Sequence, residues 1–267
     1  MNILKQPAID VHAHCGRYEL DSSELINRWM TGDGNEVVRR AKTANTDATI
    51  ASSLKALFEK SPETILEGNR ELAHEANEIK GLLHWVVLHP GIPESYDQAA
   101  EMLLLKNCVG VKIHPAAHDY TISDFGEYMF AFAVEHNAVL ITHTGEEGCM
   151  PADFLPFADR CAEVKLILGH LGFAEDGDPG CQVRAIQHSK HENIYVDTSS
   201  SRNMLPGLIE WAVKEIGSDR ILYGTDSPLY WAPMQRARID SAEISDEDKR
   251  KILYENAAKL LNLNSFL

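Results

Sequence analysis

Six of the twelve histidines in the chain fall at or beside the end of a short apolar run: His12, His14, His89, His114, His143 and His170. Asp226 closes a further run, directly after Thr225. Imidazoles and carboxylates move protons and bind metal ions near neutral pH, so this placement is the chemically informative fact of the sequence. In Asp10-Val11-His12-Ala13-His14, side chains two apart in a strand point the same way, which predicts Asp10, His12 and His14 on one face. Two imidazoles side by side in an interior need protons, water or a metal, and two neutral nitrogens around a cation are the least costly arrangement. Taken alone, the H-x-H spacing fits two hydrogen-bonded core histidines just as well. His143 and Asp226 shift the balance, because three imidazoles and a carboxylate suit a divalent ion, Zn²⁺ first, with Fe²⁺ or Mn²⁺ as other occupants.

The elements that must carry these residues are eight strand candidates: Ala8–His14, Asp47–Leu54, His84–His89, Val109–His114, Val139–His143, Lys165–His170, Ile194–Thr198 and Ile221–Thr225. Each is rich in Val, Ile or Leu and bounded by Gly, Pro, Asn or Ser, as strands buried on both faces are. Helical stretches alternate with them, over Pro62–Ile79, Ser123–His136, Pro151–Ala162, Leu205–Ile216 and Ser245–Leu261. Eight such alternations without a linker predict an α/β chain folded as one (β/α)8 TIM barrel, a single domain over residues 1–267, with an open doubly wound sheet as the alternative. In a barrel the strand ends share one face, so residues distant in sequence surround one cavity. The longer stretches Gly16–Thr46 and Gly172–Asn193 are expected to cap its mouth.

Composition sets outer bounds. The 267 residues are 44% hydrophobic and 24% charged, which is ordinary for a globular protein. Forty acidic against 25 basic residues give a net charge of −15, which repels phosphate backbones and anionic lipid and argues against nucleic-acid or membrane partners. Five scattered cysteines without a C-x-x-C pair argue against a disulfide framework, and the apolar start of a signal peptide is not seen; a cytoplasmic protein is expected. Phosphate-binding glycine loops and the G-x-S-x-G elbow are absent.

The segments IDVHAH, VGVKIHP, ITHTG, LILGHLG, NIYVDTSS and ILYGTDSP, in this order, closely resemble the amidohydrolase superfamily. They look most like the branch of aminocarboxymuconate semialdehyde decarboxylase and related metal-dependent hydrolases. The resemblance implies His12, His14, His143 and Asp226 as metal ligands, and His170 as the histidine that acts on metal-bound water or contacts substrate. It favours a hydrolase of a small amide, ester or lactone, in which a metal-activated water attacks, Asp226 carries the proton and His170 stabilises charge. A decarboxylase of a small carboxylated substrate is the alternative, and a non-catalytic metal-binding protein on the same fold a second.

Lys112 lies two residues before His114, and both are expected to face inwards. Two-metal members of the superfamily carry a carboxylated lysine here, bridging both ions. Otherwise Lys112 is a free ammonium paired with Asp10 or with a substrate carboxylate, which fits one ion and an anionic small-molecule substrate. His89 and His114 are substrate contacts or structural histidines. Asp197 is expected to support the site or the core, and Glu146 and Arg202 to reach the pocket or solvent. Cys15 and Cys149 have no neighbour placed to make a thiolate. Trp211, Tyr230 and Trp231 are candidates for the pocket or for a homo-oligomer interface.

Overall fold

In the computed structural model, which describes residues 6–200, 202 and 204–263, eight parallel strands pair in chain order. They are β1 (Ile9–Cys15), β2 (Ala48–Ser53), β3 (Leu82–Val87), β4 (Cys108–Ile113), β5 (Leu140–Thr142), β6 (Leu166–Leu168), β7 (Ile194–Asp197) and β8 (Ile221–Leu222). The chain beyond β8 returns to β1: Val11 N–H donates to Tyr223 O at 2.9 Å, Asp226 N–H to His12 O at 2.6 Å and His14 N–H to Ser227 O at 2.7 Å. These bonds close the sheet, so the barrel expectation holds and the open sheet does not.

The interior is apolar below and polar above. Ile9, Val11, Ile50, Trp85, Ile141, Ile167 and Leu222 form the lower plug, and the Trp85 indole donates to Val11 O at 2.8 Å. A larger apolar layer lies between the strands and the outer helices, around Val86, Val111, Phe130, Phe154 and Tyr223.

One register detail corrects the expected face of Asp10. Asp10 sits opposite Thr49 while Ala13 sits opposite Ala51, so β1 holds one residue more than β2 between these pairs. That bulge puts Ile9 and Val11 inside the barrel, yet also turns His12 and His14 inwards, with Ala13 and Cys15 against the outer helices. Asp10 is therefore outside. Its carboxylate accepts from His12 N–H at 3.1 Å and from the Thr225 N–H and hydroxyl at 3.0 and 2.5 Å, tying β1 to the end of β8. Burial pushes its pKa up to about 8.

The outer helices follow their capping signals with three departures. Ser61 caps Pro62–Glu78 and Ser245 caps Asp246–Arg250, each accepting from the backbone three residues on. A helix through Pro151–Ala162 would place Pro156 in its interior, so the segment is a 3₁₀ turn, Pro151–Phe154, and a fresh start at Leu155. The segment Leu205–Ile216 becomes helical only at Leu208, after Gly207 in the left-handed region at φ 77°. The last helix opens into a π turn at Lys251–Glu255, where Ile252 O accepts from Tyr223 N–H at 2.9 Å and Asn256 donates to Ser218 O and Ile221 O. Of the expected caps, residues 16–31 reach the mouth through Tyr18, Leu20 and Met30, whereas the helix Gly34–Thr43 packs on the barrel wall.

Candidate metal centre and active site

Above the apolar plug opens a cavity of about 320 Å³, and His12, His14, Lys112, His114, His143, His170 and Asp226 all line it. Strands supply the floor. His12 and His14 come from β1 past its bulge, Lys112 from β4, and His114 and His143 follow β4 and β5 directly. His170 and Asp226 lie just beyond β6 and β8, both with left-handed backbone, at φ 71° and 58°. A histidine there is strained, the kind of cost usually tolerated at functional positions.

His12 is the hub. Its Nδ1–H donates to Asp197 Oδ2 at 2.7 Å, and its Nε2 accepts from Lys112 Nζ at 2.8 Å. His14 Nε2 lies 2.8 Å from Asp226 Oδ1, with Ser52 Oγ 2.8 Å from its Nδ1. Close packing seats the His12 ring: a methyl group on Gly169 would come within 3.1 Å of His12 Cε1, and one on Gly224 within 3.0 Å of its Cβ. Among the described residues, two sets of donor atoms converge within 4.8 Å, His12–His14–Asp226 and His12–His170–Asp197. His143 belongs to neither; its Nδ1 lies 2.9 Å from His170 Nε2, its Nε2 lacks a hydrogen bond, and Glu146 Oε1 stands 3.4 Å off.

Electrostatics follow from burial. Burial holds His14 down to about 4, and His114 and His170 well below the usual histidine range, so these rings are neutral. Burial works to raise Asp226, but the His14 hydrogen bond and the nearby imidazoles hold it well below the carboxylate range. Burial lowers Lys112 to about 8, against the pull of Asp197 and Asp226. The Lys112 amine meets His12, and Asp10 is on the other side of the wall.

Aromatic rings complete the pocket. His114 stacks on His143 with centroids 4.2 Å apart and planes 8° apart, Phe58 meets His114 edge-on at 6.2 Å, and Phe173 flanks His143 at 6.0 Å. Glu146 and Arg202 both reach the mouth, Arg202 with its guanidinium 5.0 Å over the Phe173 ring. Tyr230 lines the cavity, whereas Trp231 is exposed. His89 stays outside, accepting from Gly91 N–H at 3.1 Å. Burial pushes the thiols up, Cys149 to about 12 and Cys15 well above the usual thiol range. Sequence reasoning passed over Ser199, whose hydroxyl touches Asp197, His12 and His170, although it lies in the segment NIYVDTSS.

Barrel and polar floor together define a class. The family model described as amidohydrolase matches residues 9–263, and the chain belongs to that family. Among its relatives, a gamma-resorcylate decarboxylase of Polaromonas sp. (strain JS666 / ATCC BAA-500) is 31% identical over 125 residues, 40% of this chain and 36% of that protein's length. Among solved structures, 2,6-dihydroxybenzoate decarboxylase complexed with 2,6-dihydroxybenzoate aligns with a TM-score of 0.78 at 14% identity, covering 97% of this chain and 100% of the other. A dihydroxybenzoic acid decarboxylase from Polaromonas sp. JS666, with bound manganese and the inhibitor 2-nitroresorcinol, aligns at 0.75 and 17% identity, covering 97% of each chain. These relatives are decarboxylases of aromatic acids, which overturns the expectation of a hydrolase of amides, esters or lactones. Both chemistries use one Lewis acid and one proton carrier at the same strand ends, so motifs alone do not separate them.

Proposed function

We propose that the chain is a metal-dependent decarboxylase of a small aromatic acid. The observation that carries this reading is the union of a convergent His12–His14–Asp226 donor set with a stacked aromatic wall, His114 on His143, in one cavity. The donors suit a divalent ion, and the buried His143 Nε2, which makes no hydrogen bond and has Glu146 3.4 Å away, is a fourth group for it. Neutral imidazoles and carboxylates serve Zn²⁺ and Mn²⁺ alike, and manganese occupies the aligned dihydroxybenzoic acid decarboxylase. When bound, the ion supplies a Lewis acid that withdraws charge from the substrate's polar groups.

The protein's own groups do the rest. Phe58, Phe173 and the stacked imidazoles hold the ring and exclude water, and Lys112, kept inside at 1% exposure, offers a cation to the carboxylate. The bond between ring carbon and carboxylate breaks, carbon dioxide leaves, and the electron pair left on the ring carbon takes a proton that Asp226 relays from the substrate's ring hydroxyl, which solvent then reprotonates, with His170 contacting the substrate. In this reading Lys112 acts as a free amine beside a single ion. The test is carbon dioxide release by manganese- and zinc-loaded enzyme from a panel of hydroxybenzoates beginning with 2,6-dihydroxybenzoate. One carbon dioxide per decarboxylated phenol is expected; a metal-loaded enzyme that binds the panel and releases none overturns the proposal.

A further inference from the structure

We propose that Ser199 is a positioning residue: acting between Asp197 and His170, it fixes the tautomers of the site so that both His12 and His143 present an unprotonated Nε2 to the cavity. One chain of hydrogen bonds fixes where each proton sits. Asp197 is fully buried, and its carboxylate only accepts. Its Oδ2 takes the His12 Nδ1–H at 2.7 Å; its Oδ1 takes the Ser199 N–H at 2.9 Å, the His170 N–H at 3.2 Å and, in a short contact, the Ser199 hydroxyl. A hydroxyl has one proton. With it directed at Asp197, Ser199 Oγ can only accept from His170 Nδ1, 2.8 Å away. A neutral His170 then has a bare Nε2, which must accept from His143 Nδ1 at 2.9 Å. The lone pair of His143 is left on Nε2, buried and without a hydrogen-bond partner.

Two observations check this assignment. Lys112 Nζ, a donor, stands 2.8 Å from His12 Nε2, which requires the same bare Nε2 on His12 that Asp197 imposes from the other side. The reversed chain fails at its inner end. There His143 would donate from Nε2 towards Glu146 at 3.4 Å and Ser199 would donate to His170, which presses two unshared oxygen pairs together at the short Ser199–Asp197 contact. His14 is set differently: the Ser52 hydroxyl behind its Nδ1 satisfies either tautomer, and Asp226 Oδ1, 2.8 Å from its Nε2, takes that proton in the metal-free chain.

The tautomer claim stands without the decarboxylase reading; only its consequence for metal affinity rests on that reading. The experiment is ¹⁵N NMR of the ¹⁵N-histidine-labelled full chain without metal, followed by Mn²⁺ affinity from competition with a chelator. His12, His143 and His170 are expected as Nδ1–H tautomers. Ser199→Ala should release His170 into a mixture with Nε2–H and weaken Mn²⁺ binding about 10–100-fold, with Ser199→Thr restoring both. An Nε2–H tautomer of His143 or His170 in the wild-type protein overturns the proposal, as does an unshifted His170 in folded Ser199→Ala. The wild-type spectrum decides even if that variant does not fold. The expected tautomers in a protein that binds no divalent ion would uphold the proton chain and sink the metal reading.

Discussion

The floor and the rim of the cavity are built on different principles. The central ionisable groups of the floor are held by partners from other strand ends: His12 by Asp197 and Lys112, His14 by Ser52 and Asp226, and His170 by Ser199. Rim groups come from loops and meet their neighbours loosely, as Arg202 does over Phe173 and Glu146 does beside His143. A rigid, desolvated floor fixes what reaction runs, and a loosely held rim selects what enters, which is how one barrel hosts many substrates.

The sharpest way to break this contrast is at the floor. Asp226→Asn should keep the fold and lower turnover about 10³-fold, near 4 kcal/mol of barrier, with the metal content of the purified variant falling alongside. Turnover within tenfold of wild type would move the proton carrier elsewhere. Within the floor, Asp197→Asn should weaken Mn²⁺ about 10–100-fold, because the amide can turn a donor towards His12 Nδ1. Ser52→Ala should cost less than tenfold, since no carboxylate stands behind it. Equal losses in a chelator competition would show that the two sides of the floor are not built differently.

His84 on β3 shows what burial does when only the Asn107 backbone opposes it. It faces the helix layer, and its ring nitrogens make no hydrogen bond of normal length, unlike the anchored floor histidines. Burial holds its pKa down to about 4, against 6.5 in an unfolded chain. Between those values the unfolded chain binds more protons, so this contribution is present above pH 6.5 and is lost as the pH falls towards 4. The loss is on the order of 3 kcal/mol. His84→Leu should flatten the acid limb of a Tm-against-pH curve; an unchanged limb would assign acid lability to other groups.

The same division governs what the sequence could reveal. The eight strand runs and the residues that end them are local patterns, so the barrel and the gathering of His12, His14, His143, His170 and Asp226 at one mouth were legible. Period-two alternation misplaced Asp10, because a bulge is a register fact shared by two strands and leaves no mark in one. Ser199 was invisible for a related reason: a serine becomes informative only when Asp197 and His170 stand beside it. The reaction was the least legible, since decarboxylation and hydrolysis ask for the same floor and differ in what the rim admits.

The rim therefore carries the subtlest test. Phe173→Leu removes the ring that flanks His143 and supports Arg202, and should raise KM about tenfold with kcat little changed. Arg202→Gln should do less. Its guanidinium is exposed and held by a cation–π contact, so it attracts an anion through water and adds about 1 kcal/mol or less. That predicts a KM rise of a fewfold at low salt that disappears as salt shortens the screening length below about 10 Å, with metal affinity unchanged at any salt. A salt-independent KM rise would mean that Arg202 touches the substrate directly and belongs with the floor. A change in metal affinity would dissolve the boundary between floor and rim, because a loop residue with no bond to any floor group would then be setting the floor's geometry.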